Sequence, residues 1–370
     1  GTIGPFTPFG TFRWYPDDKS ADRLSRTASQ LPDHVDFAGA RAETYATQAA
    51  LPDVFSSTLQ QDLLRRDFSI NALAIPVAPD AGPVVDPTGG LADLDAGLIR
   101  ALHPLSFHDD PLRILRAWRF RSRFGFEIEP RTLDLMQIAR PALGEITGTR
   151  LRNEIDLLLQ EDRPGAALSA MQQVNLLTAI HPDFRVPQDI EARLQRSREV
   201  PGLRSCGDTQ SRLWHALASD MEPDSLPSFC VRLLIAPKLA RSMEATARLL
   251  RQPGILADVS ADTFQVVDRL LRMPESAVCC LAQLTDDPLV RKRLGDWLRR
   301  WPDIKAFSTG HDLLAAGLSP GPAFARILLK LRVAWYEGAI TSEAEERSLL
   351  GQLAAAERRI AIFGDADQSD

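Results

Sequence analysis

The chain has 370 residues, 44% of them hydrophobic and 25% charged, with a net charge of −6. That length builds two or three domains around a sizeable core, and no run of about 18 apolar residues marks a membrane span. The acidic balance excludes a uniformly basic nucleic-acid coat, but a local patch can still bind phosphate. Arg113, Arg116, Arg119, Arg121 and Arg123 crowd into one short stretch. The four cysteines, Cys206, Cys230, Cys279 and Cys280, show no zinc spacing and fit a reduced, cytoplasmic setting. The sequence starts at Gly1 rather than Met and has no signal-like start, so residues upstream are expected.

Residues 1–100 read as mixed α/β. His34-Val35-Asp36-Phe37 and Pro83-Val84-Val85-Asp86 are short β-type runs, and residues 69–77 form a third apolar segment. The polar residues 17–33 read as a surface loop, and Pro87-Thr88-Gly89-Gly90 as a turn or hinge. From residue 106 to about 363 the apolar spacing is helical. Leu112, Leu115, Trp118 and Phe120 mark one helix, Leu151, Ile155, Leu158 and Leu159 another, with Arg140-Pro141 as the break between them. Pro182, Pro187 and Pro201 punctuate a linker. The expected fold class is α+β: a small head with β-strands, then a long all-helical body.

Three segments carry chemistry. Arg65-Arg66-Asp67-Phe68-Ser69-Ile70-Asn71-Ala72-Leu73-Ala74 offers two adjacent forked donors for phosphate, an acid that can accept from ribose hydroxyls, and an amide at Asn71. In Asp109-Asp110-Pro111-Leu112-Arg113, Pro111 suits a first helical turn and the acids suit its positive end. Asp110 and Arg113 share a face at i,i+3, and Arg116 and Arg119 continue the spacing. Near the end, Gly317-Leu318-Ser319-Pro320-Gly321 opens a helix. Its turn presents backbone N–H groups to a phosphate, or simply joins two helices. Arg326 and Lys330 follow on one helical face. His311 reads as a polar surface or capping residue, and Trp214 and Trp335 as core.

These motifs resemble those of the class II tRNA nucleotidyltransferase and poly(A) polymerase family. The Arg65 segment is similar to the signature RRDFT-x-NALA, Asp86-Pro87-Thr88-Gly89-Gly90 to the segment joining head and neck, and Asp109–Arg113 to the EDxxR helix that selects the nucleotide. Residues 146–155, with the i,i+4 pair Arg150 and Glu154, resemble a bracing helix. The resemblance implies an incomplete polymerase-β-like head (residues 1–104), a neck (105–185), a body (186–300) and an RNA-binding tail (301–370). It also implies addition of C or A to tRNA 3′ ends from CTP or ATP.

In the resemblance Asp110 and Arg113 read the base, with Asp109, where the family has Glu, holding Arg113. Arg116 and Arg119 meet the triphosphate, and Arg65, Arg66, Asp67 and Asn71 hold ribose and phosphates. Gly317, Gly321, Arg326 and Lys330, with Arg332, contact RNA. The family reaction uses two Mg²⁺ ions held by a DxD pair and a third acid. Asp36 is the candidate for the third acid, within residues 35–45 that resemble VDFATARxETY, and Glu43 is the alternative. Asp93-Leu94-Asp95 falls in the joining segment and reads as a decoy, so the DxD pair is expected upstream of Gly1. The isolated chain is then expected to incorporate no nucleotide. A truncated reading frame, a separate chain supplying the head, or a binding-only remnant would each account for this.

Overall fold

The computed structural model describes residues 1–6, 11–23, 31–44, 53–78, 80–199 and 207–364, and divides into two compact units, Gly1–Pro182 and Asp183–Asp370. Tyr45, Pro201, Cys206, Asp365 and Asp367 lie outside the described residues.

In the first unit, β1 (Thr2–Ile3), β2 (Thr11–Tyr15) and β3 (Val35–Ala38) pair antiparallel in that order. Between β2 and β3 the chain forms α1 (Asp18–Arg23), so part of the segment read as a loop is helical. Asp17 starts it by accepting the Ser20 N–H at 2.9 Å, a cap hidden in a polar composition. β4 (Arg41–Thr44) and β5 (Asp53–Ser56) make a separate antiparallel pair. α2 (Leu59–Leu64) follows, capped by Thr58, which accepts from Gln61 N–H at 3.3 Å. The apolar segment at 69–77 and the run at 83–86 do not make strands. They give a 3₁₀ turn at Ser69–Asn71 and a single bridge between Ala74 and Val85. Pro76, Pro83 and Pro87 remove the donors a longer ladder would need.

The glycine pair forms a close-packed turn into α3 (Gly90–Ala96). Gly89 has φ +77°, and a Cβ on Gly90 would stand 2.2 Å from the Ser69 carbonyl oxygen. Asp86 accepts from Gly90 N–H (2.8 Å) and Leu91 N–H (3.0 Å), and these backbone bonds hold its carboxyl below the usual range. Asp93 is buried and accepts from Ser69 Oγ (2.6 Å) and Arg100 Nε (3.0 Å), tying α3 to the 3₁₀ turn.

β6 (Leu98–Ile99), α4 (Ser106–Asp109) and α5 (Leu112–Phe124) lead to β7 (Glu127–Ile128), which pairs parallel with β6. A two-residue strand is too short to disturb the helical periodicity, so the reading from sequence passed over it. α6 (Pro130–Ala139), a 3₁₀ turn at Arg140–Glu145, α7 (Gly148–Leu159), α8 (Pro164–Gln173) and α9 (Leu176–Ile180) complete the unit. α5 buries Leu112, Ile114, Leu115, Ala117 and Trp118, and its Arg119 and Arg123 face α7 and the loop after it.

The second unit is helical: α10 (Ile190–Arg198), α11 (Thr209–Leu217), α12 (Leu226–Arg232), α13 (Pro237–Arg251), α14 (Thr263–Leu271), α15 (Glu275–Leu284), α16 (Pro288–Arg300), α17 (Gly310–Ala315), α18 (Pro322–Glu337) and α19 (Glu343–Gly364). One apolar cluster joins α13 to α16 with α18, and a smaller one joins α17 to α19. Trp214 is core, and half-buried Trp335 gives its indole N–H to Glu346. Glu346 is fully buried and also accepts the N–H groups of Phe307 (3.0 Å) and Ser308 (2.6 Å).

His215 is buried between Ser242 Oγ on Nε2 and Thr246 Oγ1 on Nδ1, both at 3.2 Å. Burial lowers its pKa from the usual 6.5 to about 4. The unfolded chain therefore takes up a proton between those values that the folded chain refuses, and stability falls as the pH falls through that window. We expect urea denaturation to show up to about 3 kcal/mol lost between pH 6.5 and 4 from this group. A His215→Asn variant should flatten that part of the profile.

Candidate nucleotide site

The site is built from the end of α2 upward. Buried Asp62 accepts from Arg65 Nη2 (2.6 Å), Arg66 Nη2 (3.0 Å) and the Arg41 N–H (3.2 Å). Burial works against its charge, yet the bonds from Arg65 and Arg66 outweigh it and keep the carboxyl below the usual carboxylate range. Arg65 also reaches Glu43 Oε1 (2.6 Å) and the Arg41 carbonyl (2.9 Å). The helix thus presents both arginines in fixed positions beside β4.

Asp67 is buried in the next turn. Its Oδ1 accepts from Phe68 N–H and Asn71 Nδ2, both at 2.9 Å, and its Oδ2 from Arg116 Nη2 (2.6 Å) and Nε (2.8 Å). Both Arg116 donors converge on that one oxygen, and a charge-assisted bond of this kind is stronger than a neutral one. Arg113 is buried as well. Its Nη1 donates to Ser106 Oγ and its Nη2 to the Arg65 carbonyl, each at 2.8 Å. Asp110 Oδ1 accepts from Arg150 Nη2 (2.9 Å) and from Leu112 N–H (3.2 Å), which caps α5.

These groups surround an open cavity of about 730 Å³. Six arginines line it (Arg41, Arg65, Arg66, Arg113, Arg116 and Arg150), against four acids (Glu43, Asp67, Asp110 and Glu154). Asn71, Leu112 and Phe120 complete the wall. An arginine excess around a concave, partly apolar floor suits a phosphate-bearing ligand with a flat ring.

Of the residues singled out from sequence, Arg65, Arg66, Asp67, Asn71, Asp110, Arg113 and Arg116 come together here. Three do not. Arg119 does not line the cavity: it is buried between Glu154 (3.3 Å) and Glu161 (3.7 Å), because its helix turns it toward α7 and the residues that follow. Asp109 does not hold Arg113 but faces His103 (3.9 Å) and His108 (3.7 Å). The His103 pKa is lowered by burial, with Arg113 adding to it against the pull of Asp109. Asp36 lies on β3, exposed, bonded to Arg13 Nε across the sheet at 2.9 Å, while its alternative Glu43 stands in the cavity wall.

Arg150 and Glu154, read as an i,i+4 brace, reach outward. Arg150 goes to Asp110, and Glu154 receives Arg116 (3.6 Å) and Arg119. Asp62, Arg41 and Ser106 escaped the reading. Asp62 precedes Arg65 and Arg66 by three and four residues, a helical spacing that could have exposed it. Ser106 carries no such signal, since α4 and α5 are separated by a break.

Among the described residues no three His, Cys, Asp or Glu side chains form a metal-binding group. Asp36 is committed to Arg13, and Glu43 to Arg41 (3.3 Å) and Arg65. The donor set described does not fit a Mg²⁺ pair, and no step is derived through one.

In the second unit, Gly317 (φ +78°) ends α17 and Gly321 caps α18. Arg326 pairs with Glu357, and Lys330 lies over the Phe264 ring at 5.8 Å. Arg332 is not available to a ligand: it stacks on Trp301 (3.9 Å) and donates to the carbonyls of Trp301 (2.8 Å) and Ile304 (2.9 Å). His311 is exposed at the start of α17, its N–H donating to Thr309 Oγ1.

Asp62→Ala should strip two arginines and a backbone N–H of their common acceptor. We expect a loss of about 2–4 kcal/mol in urea denaturation, together with weaker binding of inorganic triphosphate in calorimetry. Unchanged triphosphate affinity would show that the pair does not face the ligand.

The chain resembles known proteins. Residues 18–100 match the model for the poly(A) polymerase head domain, and residues 125–186 match the model described as a probable RNA and SrmB-binding site of polymerase A. An A-adding tRNA nucleotidyltransferase from Halalkalibacterium halodurans is 30% identical over 350 residues, covering 93% of this chain and 77% of its own. A CCA-adding enzyme in its apo form II superposes with a TM-score of 0.76 at 26% identity, over 96% of this chain and 82% of the other. The Thermotoga maritima CCA-adding enzyme complexed with tRNA gives 0.67 at 25% identity, over 96% and 81%. With a relative 30% identical and matched along 77% of its length, this chain belongs to the tRNA nucleotidyltransferase and poly(A) polymerase family.

Proposed function

We propose that the cavity selects CTP or ATP for addition to the 3′ end of tRNA, with amino-acid side chains in place of a template strand. The observation that carries this is the pairing of Asp110 and Arg113 on one cavity wall. Cytosine and adenine each present an amino donor beside a ring-nitrogen acceptor, and a carboxylate with a guanidinium complements both. Uracil and guanine reverse that pattern and would leave groups unpaired, at about 1–3 kcal/mol each. Arg65, Arg66 and Arg116 supply phosphate contacts. Asn71 takes the ribose, and Asp67, already bonded to three residues, orients Asn71 and Arg116. The A-adding relative and the CCA-adding structures support both the nucleotide class and the tRNA acceptor.

Two measurements test this. Titrating the chain with the four nucleoside triphosphates should give CTP or ATP at least tenfold tighter binding than UTP and GTP. Arg113→Ala should erase the preference while leaving most of the triphosphate affinity. Equal binding of all four would overturn the reading.

For the tRNA, a phosphate-led contact should lose affinity steeply with salt. The combined Arg326→Ala and Lys330→Ala variant should have a shallower slope. If the slope is unchanged, the RNA contact belongs instead to residues 125–186.

A further inference from the structure

We propose that Ser106 sets the base selectivity of this site without touching the nucleotide, by fixing the guanidinium of Arg113. The inference rests on the functional reading above. Ser106 is fully buried and does not line the cavity, whereas Arg113 does. The two guanidinium nitrogens are held by two different acceptors, Ser106 Oγ and the Arg65 carbonyl, each at 2.8 Å. One bond leaves a planar fork free to swing about its stem, but two bonds on different nitrogens define its plane. The remaining N–H groups of Arg113 have no protein acceptor among the described residues and are left for the ligand.

Both anchors are neutral. A carboxylate in the place of Ser106 would cancel the charge of Arg113 and compete for its donors. Held by a hydroxyl and a carbonyl, the guanidinium keeps its full positive charge and acts only as a donor. That favours the ring-nitrogen acceptor of cytosine or adenine and opposes the N–H that uracil or guanine presents there. The residue expected to hold Arg113, Asp109, faces His103 and His108 instead, so orientation falls to the serine. Asp110 is treated in parallel: its Oδ1 is occupied by Arg150 and the Leu112 N–H, while Oδ2 has no bond among the described residues and stays open for the amino group.

The experiment compares Ser106→Ala with wild type in titrations with CTP, ATP, UTP, GTP and inorganic triphosphate. The preference for CTP or ATP over UTP and GTP should fall at least fivefold, while inorganic triphosphate binds within twofold of wild type. In an Arg113→Ala background, Ser106→Ala should change the preference no further, and Ser106→Thr, which keeps the hydroxyl, should retain it. If Ser106→Ala unfolds at the assay temperature, Ser106→Cys, similar in shape but a weaker acceptor, reads the same ratio. A selective wild type with an unaltered ratio in these variants overturns the role of Ser106 alone. Equal loss of triphosphate affinity would also overturn it, as a general structural collapse. A wild type with no preference overturns the reading of the site, and this inference with it.

Discussion

The first unit depends on a row of alternating charges along α5. Asp67 holds Arg116, Arg116 approaches Glu154, Glu154 receives Arg119, and Glu161 takes Arg119 and Arg123. The acids come from the Arg65 signature segment, from α7 and from the loop after it, so one helix binds three parts of the chain. Burying the acids and Arg119 is costly, and such pairs stabilise little over apolar residues of the same size. What they supply is register. Shifting α5 by one residue would set arginine against arginine or leave an acid buried alone. Phe120, under Arg116 and Arg119 at 5.5 and 4.9 Å and edge-on to Phe68, gives the row an apolar floor.

How much of this the sequence revealed follows from the range of each interaction. The helices were legible because their apolar spacing repeats over about two turns or more, as in Leu151, Ile155 and Leu158. The short elements were not: α1 hid in a polar stretch, and β7 is two residues long. At the site, the residues of the two signature segments were legible one by one, and seven of them meet in the cavity. Their partners were not. Arg119 looked like a continuation of the phosphate-facing row, but helical rotation carries it toward Glu154 and Glu161. The resemblance implied that Asp109 holds Arg113, but the Pro111 break turns it to His103 and His108. Ser106 acts across the break between α4 and α5, where only the folded backbone shows what it faces, whereas the helical spacing of Asp62 to Arg65 and Arg66 was there to be read.

The second unit solves its polar problem differently. Beside surface ion pairs such as Arg248 with Glu244 and Arg272 with Asp268, several of its arginines bind backbone carbonyls. Arg293 donates to the carbonyls of Ile255, Leu256 and Asp258, Arg332 to those of Trp301 and Ile304, and Arg212 to those of Ser197 and Gly207. These bonds tie the ends of helices and turns to side chains from neighbouring helices. Glu346 performs the mirror task for N–H groups at Phe307 and Ser308. Cations are thereby consumed inside the fold, so the number of arginines in this unit overstates its positive surface.

The bond from Arg113 to the carbonyl of Arg65 joins a side chain on α5 to the main chain at the end of α2. Because the acceptor is backbone, its identity survives any replacement of the Arg65 side chain, but its position does not survive a displacement of that segment. A fraction of an ångström of sliding between the end of α2 and α5 would tilt the guanidinium plane. Mechanical strain at this junction would therefore register as altered pairing geometry in the cavity, making the segment a built-in gauge of how squarely the two parts are seated.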